Sequence, residues 1–299
     1  MRHTQLRAAD RGNRPAQVPP LVAVAHGSTD PRAAATITAL MDLVRERARR
    51  SGLHGLDARA AFLGHALPSV PDALEALCAH APGHPPGRPG GVLRGVVPTG
   101  RHVVVLPLLL TGAYHSDSDL PALLREAGAR LPRLRASYGE PLGPHPRLLR
   151  ALERRVAEAG VPSAPGAAAG TAVVLAAAGS SRPTANAAVA RLASSWRLTR
   201  GWRDVVPAYA SAAEPTPAQA VARLLRAGAP RVAVATYLLA PGVFADQVRE
   251  QSLAAGAQAT SAALGAAPEV ADVILERYLQ AAGARADGAS RVRDSARRC

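Results

Sequence analysis

The chain has no lysine, so all 36 of its basic residues are arginine. A Walker A loop, which sets a lysine on the phosphates of a nucleotide, is therefore excluded. Pyridoxal and Schiff-base chemistry, which need a lysine amine, are excluded with it. Cysteine is nearly absent: Cys78 and Cys299 make neither a disulfide framework nor a CxxC metal site. Aromatic residues amount to 3%, and none is interleaved with a basic stretch in the manner of RNA-binding segments. Long apolar runs are missing too. The uncharged stretch 161–181 is broken by Pro162, Pro165, Gly166 and Gly170, so it reads as a linker entering a strand rather than a membrane span. The opening residues lack the apolar segment of a secretory signal, which leaves the cytoplasm as the expected location.

What is present fits a soluble globular protein. The 299 residues are 48% hydrophobic and allow two domains of ordinary size, each with its own core. The formal net charge of +14 invites an anionic partner. Part of that charge sits in the tails, and an Ala/Arg/Gly/Pro-rich, lysine-free composition also follows from biased codon usage. Nucleic acid is thus not the expected partner.

Apolar runs alternate with helical spacing, the pattern of parallel α/β units. Strands are expected at 21–25, 58–63, 103–110 and 134–138. Asp30 is placed to cap a helix that Pro31 opens, and Ile37, Leu40, Met41 and Val44 follow on one face before Gly52 stops it. Further helices fit 71–80, 120–130 and 146–159. Residues 81–100 hold five Pro and six Gly and read as a flexible insertion. The expected division is a basic tail at 1–19, an N-terminal domain at 20–160, a linker at 161–170, a C-terminal domain at 171–281 and a second basic tail at 282–299.

The second domain repeats the first. LVAVAHGSTDPRAAATITAL is echoed by AVVLAAAGSSRPTANAAVARL, and AFLGHALPSVPDAL by AYASAAEPTPAQAV. VVVLPLLLTGAYHSDSDL is echoed by VAVATYLLAPGVFADQVR, and LGPHPRLL by LGAAPEVA. Four matched blocks in one order imply two tandem copies of one α/β domain. The copies differ in histidine, for all nine lie in the first half. His26 stands opposite Ala178, His115 opposite Phe244, His65 opposite Ala212 and His145 opposite Ala267. His26 and His115 each follow an apolar strand run, at the carboxyl ends where open α/β sheets bind ligands. Two imidazoles converging there suit a borderline divalent metal ion. Other histidine chemistries fit less well. Ala25 stands where a histidine phosphatase wants arginine, no G-x-S-x-G elbow is present, and no thiolates accompany the pair to make a structural zinc site.

The segment Val24-Ala-His26-Gly-Ser28-x-Asp30-Pro-Arg32, with Pro107-Leu-Leu-Leu-x-Gly112-x-Tyr-His115-x-x-x-Asp119-Leu-Pro121, resembles the sirohydrochlorin/cobalt chelatase family, the ATP-independent class II tetrapyrrole chelatases. AFLGHALPSVPDAL and LGPHPRLL are similar to two further blocks of that family, and the likeness spans roughly residues 20–280, as in its long, duplicated form. The resemblance implies two tandem domains, each a small parallel sheet flanked by helices, with an active site in the cleft between them. It implies insertion of a divalent metal (Fe²⁺, Co²⁺ or Ni²⁺, as substrate rather than permanent cofactor) into sirohydrochlorin, on the way to sirohaem or cobalamin. By the same likeness His26 and His115 handle the metal. Ser28, Arg32 and Gly112 fall where substrate contacts belong, and an arginine-rich crevice would attract the polycarboxylate macrocycle. Asp117 and Asp119 either steer the ion or cap the next helix, and His145 ends a loop near the cleft. One departure stands out. The family often has an acidic residue where this chain has Gly64, so either the neighbouring His65 takes over that role or the role is lost. Loss favours an alternative, a carrier that binds metal or tetrapyrrole without joining them. The duplication makes a monomer the expected state.

Overall fold

The computed structural model describes residues 18–79, 101–111, 119–132, 134–162, 166 and 168–296. The expected insertion at 81–100 and the basic tail up to residue 17 lie outside them. The first half runs β1 (Leu21–Ala25), α1 (Pro31–Arg50), β2 (Ala58–Phe62), α2 (Val70–Ala79), β3 (Arg101–Pro107), α3 (Asp119–Arg130), β4 (Leu134–Tyr138) and α4 (Pro146–Glu158). The second runs β5 (Thr171–Ala177), α5 (Pro183–Arg200), β6 (Asp204–Tyr209), α6 (Pro217–Arg226), β7 (Arg231–Tyr237), α7 (Val243–Ala254), β8 (Ala259–Thr260) and α8 (Pro268–Ala296). Each half forms one parallel four-stranded sheet, in the orders β2-β1-β3-β4 and β6-β5-β7-β8. The order reverses between β1 and β3, and again between β5 and β7, so each sheet has a crevice beyond those carboxyl ends.

The central strands are continuous apolar runs because both faces are covered. Leu21, Ala23 and Ala25 point into a core shared by the two halves, while Val22 and Val24 point into a smaller cluster under α2 and α3. In β5 the alternation repeats, with Val173, Leu175 and Ala177 in the shared core and Ala172, Val174 and Ala176 in a second satellite with α6 and α7. Helix α1 begins as its sequence dictates. The Asp30 carboxylate accepts the Arg32 N–H at 2.9 Å, Pro31 occupies the first turn, and Ile37, Leu40, Met41 and Val44 are buried.

Two boundaries differ from expectation by three residues or more. Strand β3 ends at Pro107, because 108–110 leave the sheet to line a cavity. Helix α8 continues to Ala296, over residues expected to be tail, where Ala and Arg favour helix.

The halves exchange their last helices. Helix α4 packs on β7 of the second sheet, and α8 packs on α1, β3 and β4 of the first. Polar contacts fasten the exchange. Tyr278 donates its hydroxyl to the Pro19 carbonyl at 2.8 Å, Arg277 reaches the Pro141 carbonyl at 3.0 Å, and Arg47 forks onto Asp272 at 2.5 and 2.8 Å. Among the described residues no helix is long and apolar enough to cross a membrane.

Candidate active site at the paired strand ends

His26 directly follows β1, and its backbone is held by a turn that admits only glycine at the next position. Gly27 has φ +91°, and a Cβ there would stand 1.7 Å from the Gly64 carbonyl oxygen. On the opposing loop the Leu63 and Gly64 N–H groups donate to the carbonyls of Ala25 and His26, at 3.0 and 3.1 Å. The second half builds the same turn without the imidazole. Gly179 has φ +86° with its virtual Cβ 1.9 Å from the Ser211 carbonyl, and Ser211 N–H donates to Ala178 at 2.9 Å. His65 and Ala212 both hold positive φ, at 59° and 56°. The left-handed backbone at His65 therefore belongs to the turn shared by both halves, not to a function special to the first.

The carboxyl ends of β1, β3, β5 and β7 converge on one cavity of about 510 Å³. Its walls are mostly apolar: Leu108 to Leu110 and Phe62 from the first half, Leu238, Leu239 and Phe244 from the second. Polar groups are few, namely His26, Ser28, Thr111, Asn186 and Tyr237. Among the described residues no arginine and no carboxylate lines it, which corrects the expectation of an arginine-rich crevice. Several arginines instead pair with carboxylates outside the cavity.

Arg32 shows this best. It stands at the rim, its guanidinium reaching Asp30 at 2.5 Å and crossing to Asp246, in the first turn of α7, at 2.6 Å. The Arg32 hydrogen bond holds the Asp30 carboxyl below its ordinary range, and the two carboxylates push the guanidinium further up. Ser28 lines the cavity, its Oγ accepting the Asp30 N–H at 3.1 Å. His65 is exposed and does not line the cavity. His145 stands apart too. It caps α4 with Nδ1 3.1 Å from the Arg147 N–H, and its Nε2 is 3.3 Å from Glu276 of α8. Gly112, His115 and Asp117 lie outside the described residues, and Asp119 opens α3. Among the described residues there is no cluster of three or more His, Cys, Asp or Glu side chains able to hold a metal ion.

Sequence reasoning missed three polar contributions from the second half. Asn186 stands opposite Ala34, Tyr209 opposite Phe62 and Tyr237 opposite Leu108. Asn186 clamps the Ser180 loop through Ser180 N–H at 3.0 Å and Ser180 C=O at 2.7 Å, and Tyr209 donates to the Asn186 carbonyl at 2.9 Å. Tyr237 is buried, which pushes its phenol well above the usual value and keeps it a hydrogen-bond donor. The comparison of repeats that exposes lost imidazoles contains these gained groups as well.

The CbiX family model matches residues 20–84, 88–159 and 172–281. A sirohydrochlorin cobaltochelatase of Priestia megaterium is 32% identical over 149 residues, covering 50% of this chain and 48% of that protein. A sirohydrochlorin ferrochelatase of Bacillus subtilis strain 168 is 27% identical over 150 residues, covering 50% of this chain and 56% of that protein. The chain thus spans about half the length of these curated relatives. The fold is similar to that of SirB from Bacillus subtilis, solved with Fe³⁺, at a TM-score of 0.68 and 22% identity over 89% of this chain and 97% of that one.

Proposed function

The chain belongs to the CbiX family, and from that premise we propose that it inserts Fe²⁺ or Co²⁺ into sirohydrochlorin, in the cleft between its halves, as a monomeric, ATP-independent cytoplasmic enzyme. The observation that carries this reading is His26, at the end of β1, on the wall of a cavity whose equivalent wall carries Ala178. One imidazole, one inert counterpart and two apolar faces suit a flat macrocycle that brings its own four nitrogen ligands.

The reaction exchanges two pyrrole protons for one divalent ion and changes no oxidation state, so neither a nucleotide nor a redox partner is needed to balance it. A neutral imidazole can hold the incoming ion by its lone pair, or accept a pyrrole proton, since its ordinary pKa is about 6.5. His26 takes one of these tasks. His115 takes the other, on the strength of its motif. Because His65 and His145 stand off the cavity, metal handling is assigned to His26 and His115 alone. Leu108, Leu238 and Phe244 pack on the macrocycle faces, and its carboxylates are directed to the rim. There Ser28 and the N-termini of α1 and α7 offer donors, and Arg32 exchanges its exposed pairing with Asp246 for a substrate carboxylate.

The test is the absorption change of sirohydrochlorin mixed with Co²⁺ or Fe²⁺. Protein should accelerate it over the metal-only reaction, and His26→Ala should lower that acceleration by about 10²-fold or more. An unchanged rate in the variant would overturn the assignment. A second reading, a carrier, rests on Gly64 in place of an acidic residue. Tight tetrapyrrole binding with no acceleration over metal alone would select it.

A further inference from the structure

Tyr237 closes β7 in the half that lacks histidines, yet its hydroxyl serves the other half. It donates to the Leu110 carbonyl at 3.0 Å. The reason lies in the backbone that leaves the two central strands. In the second half the carbonyls of Leu238 and Leu239 accept the backbone N–H groups of Leu264 and Gly265, both at 2.8 Å. In the first half the counterpart of Gly265 is Gly143, but its N–H donates to the Leu109 carbonyl instead, at 3.2 Å. The Leu110 carbonyl would be left without that partner, and Tyr237 supplies the missing donor. Room for the hydroxyl exists only because residue 143 is glycine. A Cβ there would stand 2.2 Å from the Leu110 oxygen and 2.6 Å from the Tyr237 hydroxyl.

We propose that Tyr237 is a positioning residue: its hydroxyl fixes the path of 108–111, the part of the cavity wall that faces the macrocycle. The duplicated half would then be more than a scaffold, since its Tyr237 hydroxyl serves the Leu110 carbonyl that the Gly143 N–H leaves for Leu109. This rests on the chelatase reading for its kinetic consequence but not for its structural one. Leu108 occupies the equivalent position in the first half and carries no hydroxyl, so the contact runs one way only.

Tyr237→Phe keeps the ring and removes the donor. It should lower kcat for Co²⁺ insertion into sirohydrochlorin about tenfold, the scale on which a displaced substrate-positioning wall acts, while KM for sirohydrochlorin moves less than twofold. Amide hydrogen exchange over 108–111 should quicken in the same variant. A Tyr237→Phe enzyme with kcat within twofold of the parent, or with unchanged exchange over 108–111, overturns the proposal. If the parent protein itself fails to accelerate insertion, the chelatase reading falls. The exchange measurement then still decides whether Tyr237 fixes the segment.

Discussion

At the scale of single residues, the turn after β1 is worth more than the side chain it carries, because everything at the strand end depends on a Cβ that is not there. Gly27→Ala would force a methyl group into the Gly64 carbonyl in a backbone region that disfavours Cβ atoms anyway. The expected cost is at least about 3 kcal/mol, combining left-handed strain with displacement of the paired loop. Gly52→Ala makes the control. Its φ is +81° but nothing lies within 4 Å, so only the strain of about 1 kcal/mol applies. Gly179→Ala should destabilise about as much as Gly27→Ala, since its virtual Cβ stands 1.9 Å from Ser211. Urea titrations of the three variants measure the difference, and equal costs at Gly27 and Gly52 would remove the turn as what holds His26. Much of this was legible in the sequence, because His26-Gly27 and Ala178-Gly179 align and a glycine after a strand run signals a tight turn. Tyr237 was not legible. Its partner lies 127 residues away, and no local pattern announces that the Gly143 N–H serves Leu109 rather than Leu110.

Elements were easier to read than their neighbours in space. A continuous apolar run gave β1 its observed limits, and Asp30-Pro31 gave α1 its start, because caps and burial act locally. An amphipathic face, by contrast, says that a helix is covered without saying by what. Nothing in 146–158 or 268–281 indicates that α4 would cover the second sheet and α8 the first. The exchange leads to a prediction about folding. Residues 18–162 alone retain a full sheet but lack α8, whose Val270, Ile274 and Tyr278 are buried in the shared core. That fragment should bind hydrophobic dyes and show no cooperative urea transition, and adding residues 168–296 should restore one. A fragment that unfolds cooperatively by itself would mean that the exchanged helices are not needed for the first half's core.

For the molecule as a whole, the missing lysines have a consequence for stability at high pH. Ordinary proteins titrate lysines and tyrosines together in the alkaline range, but here the five tyrosines act without amines beside them. Burial raises the phenol of Tyr209, Tyr237 and Tyr278, that of Tyr278 to about 12. The sign follows from which state keeps the proton. Below the ordinary value of about 10 both states are protonated and the fold holds its full stability. Above it the unfolded chain loses phenol protons first, so stability falls as pH climbs towards the folded value. Each tyrosine still protonated in the fold removes at most about 1.4 kcal/mol per pH unit. Tyr237 and Tyr278 tie opposite halves together, through Leu110 and Pro19, so their ionisation should release the exchanged core as one unit. Urea unfolding at intervals from pH 9 to 12 should show a flat region and then a steep decline. Tyr278→Phe, although weaker at neutral pH for want of its bond to Pro19, should decline less steeply. Parallel declines for the two proteins would mean that the exposed phenols and thiols set the alkaline limit instead.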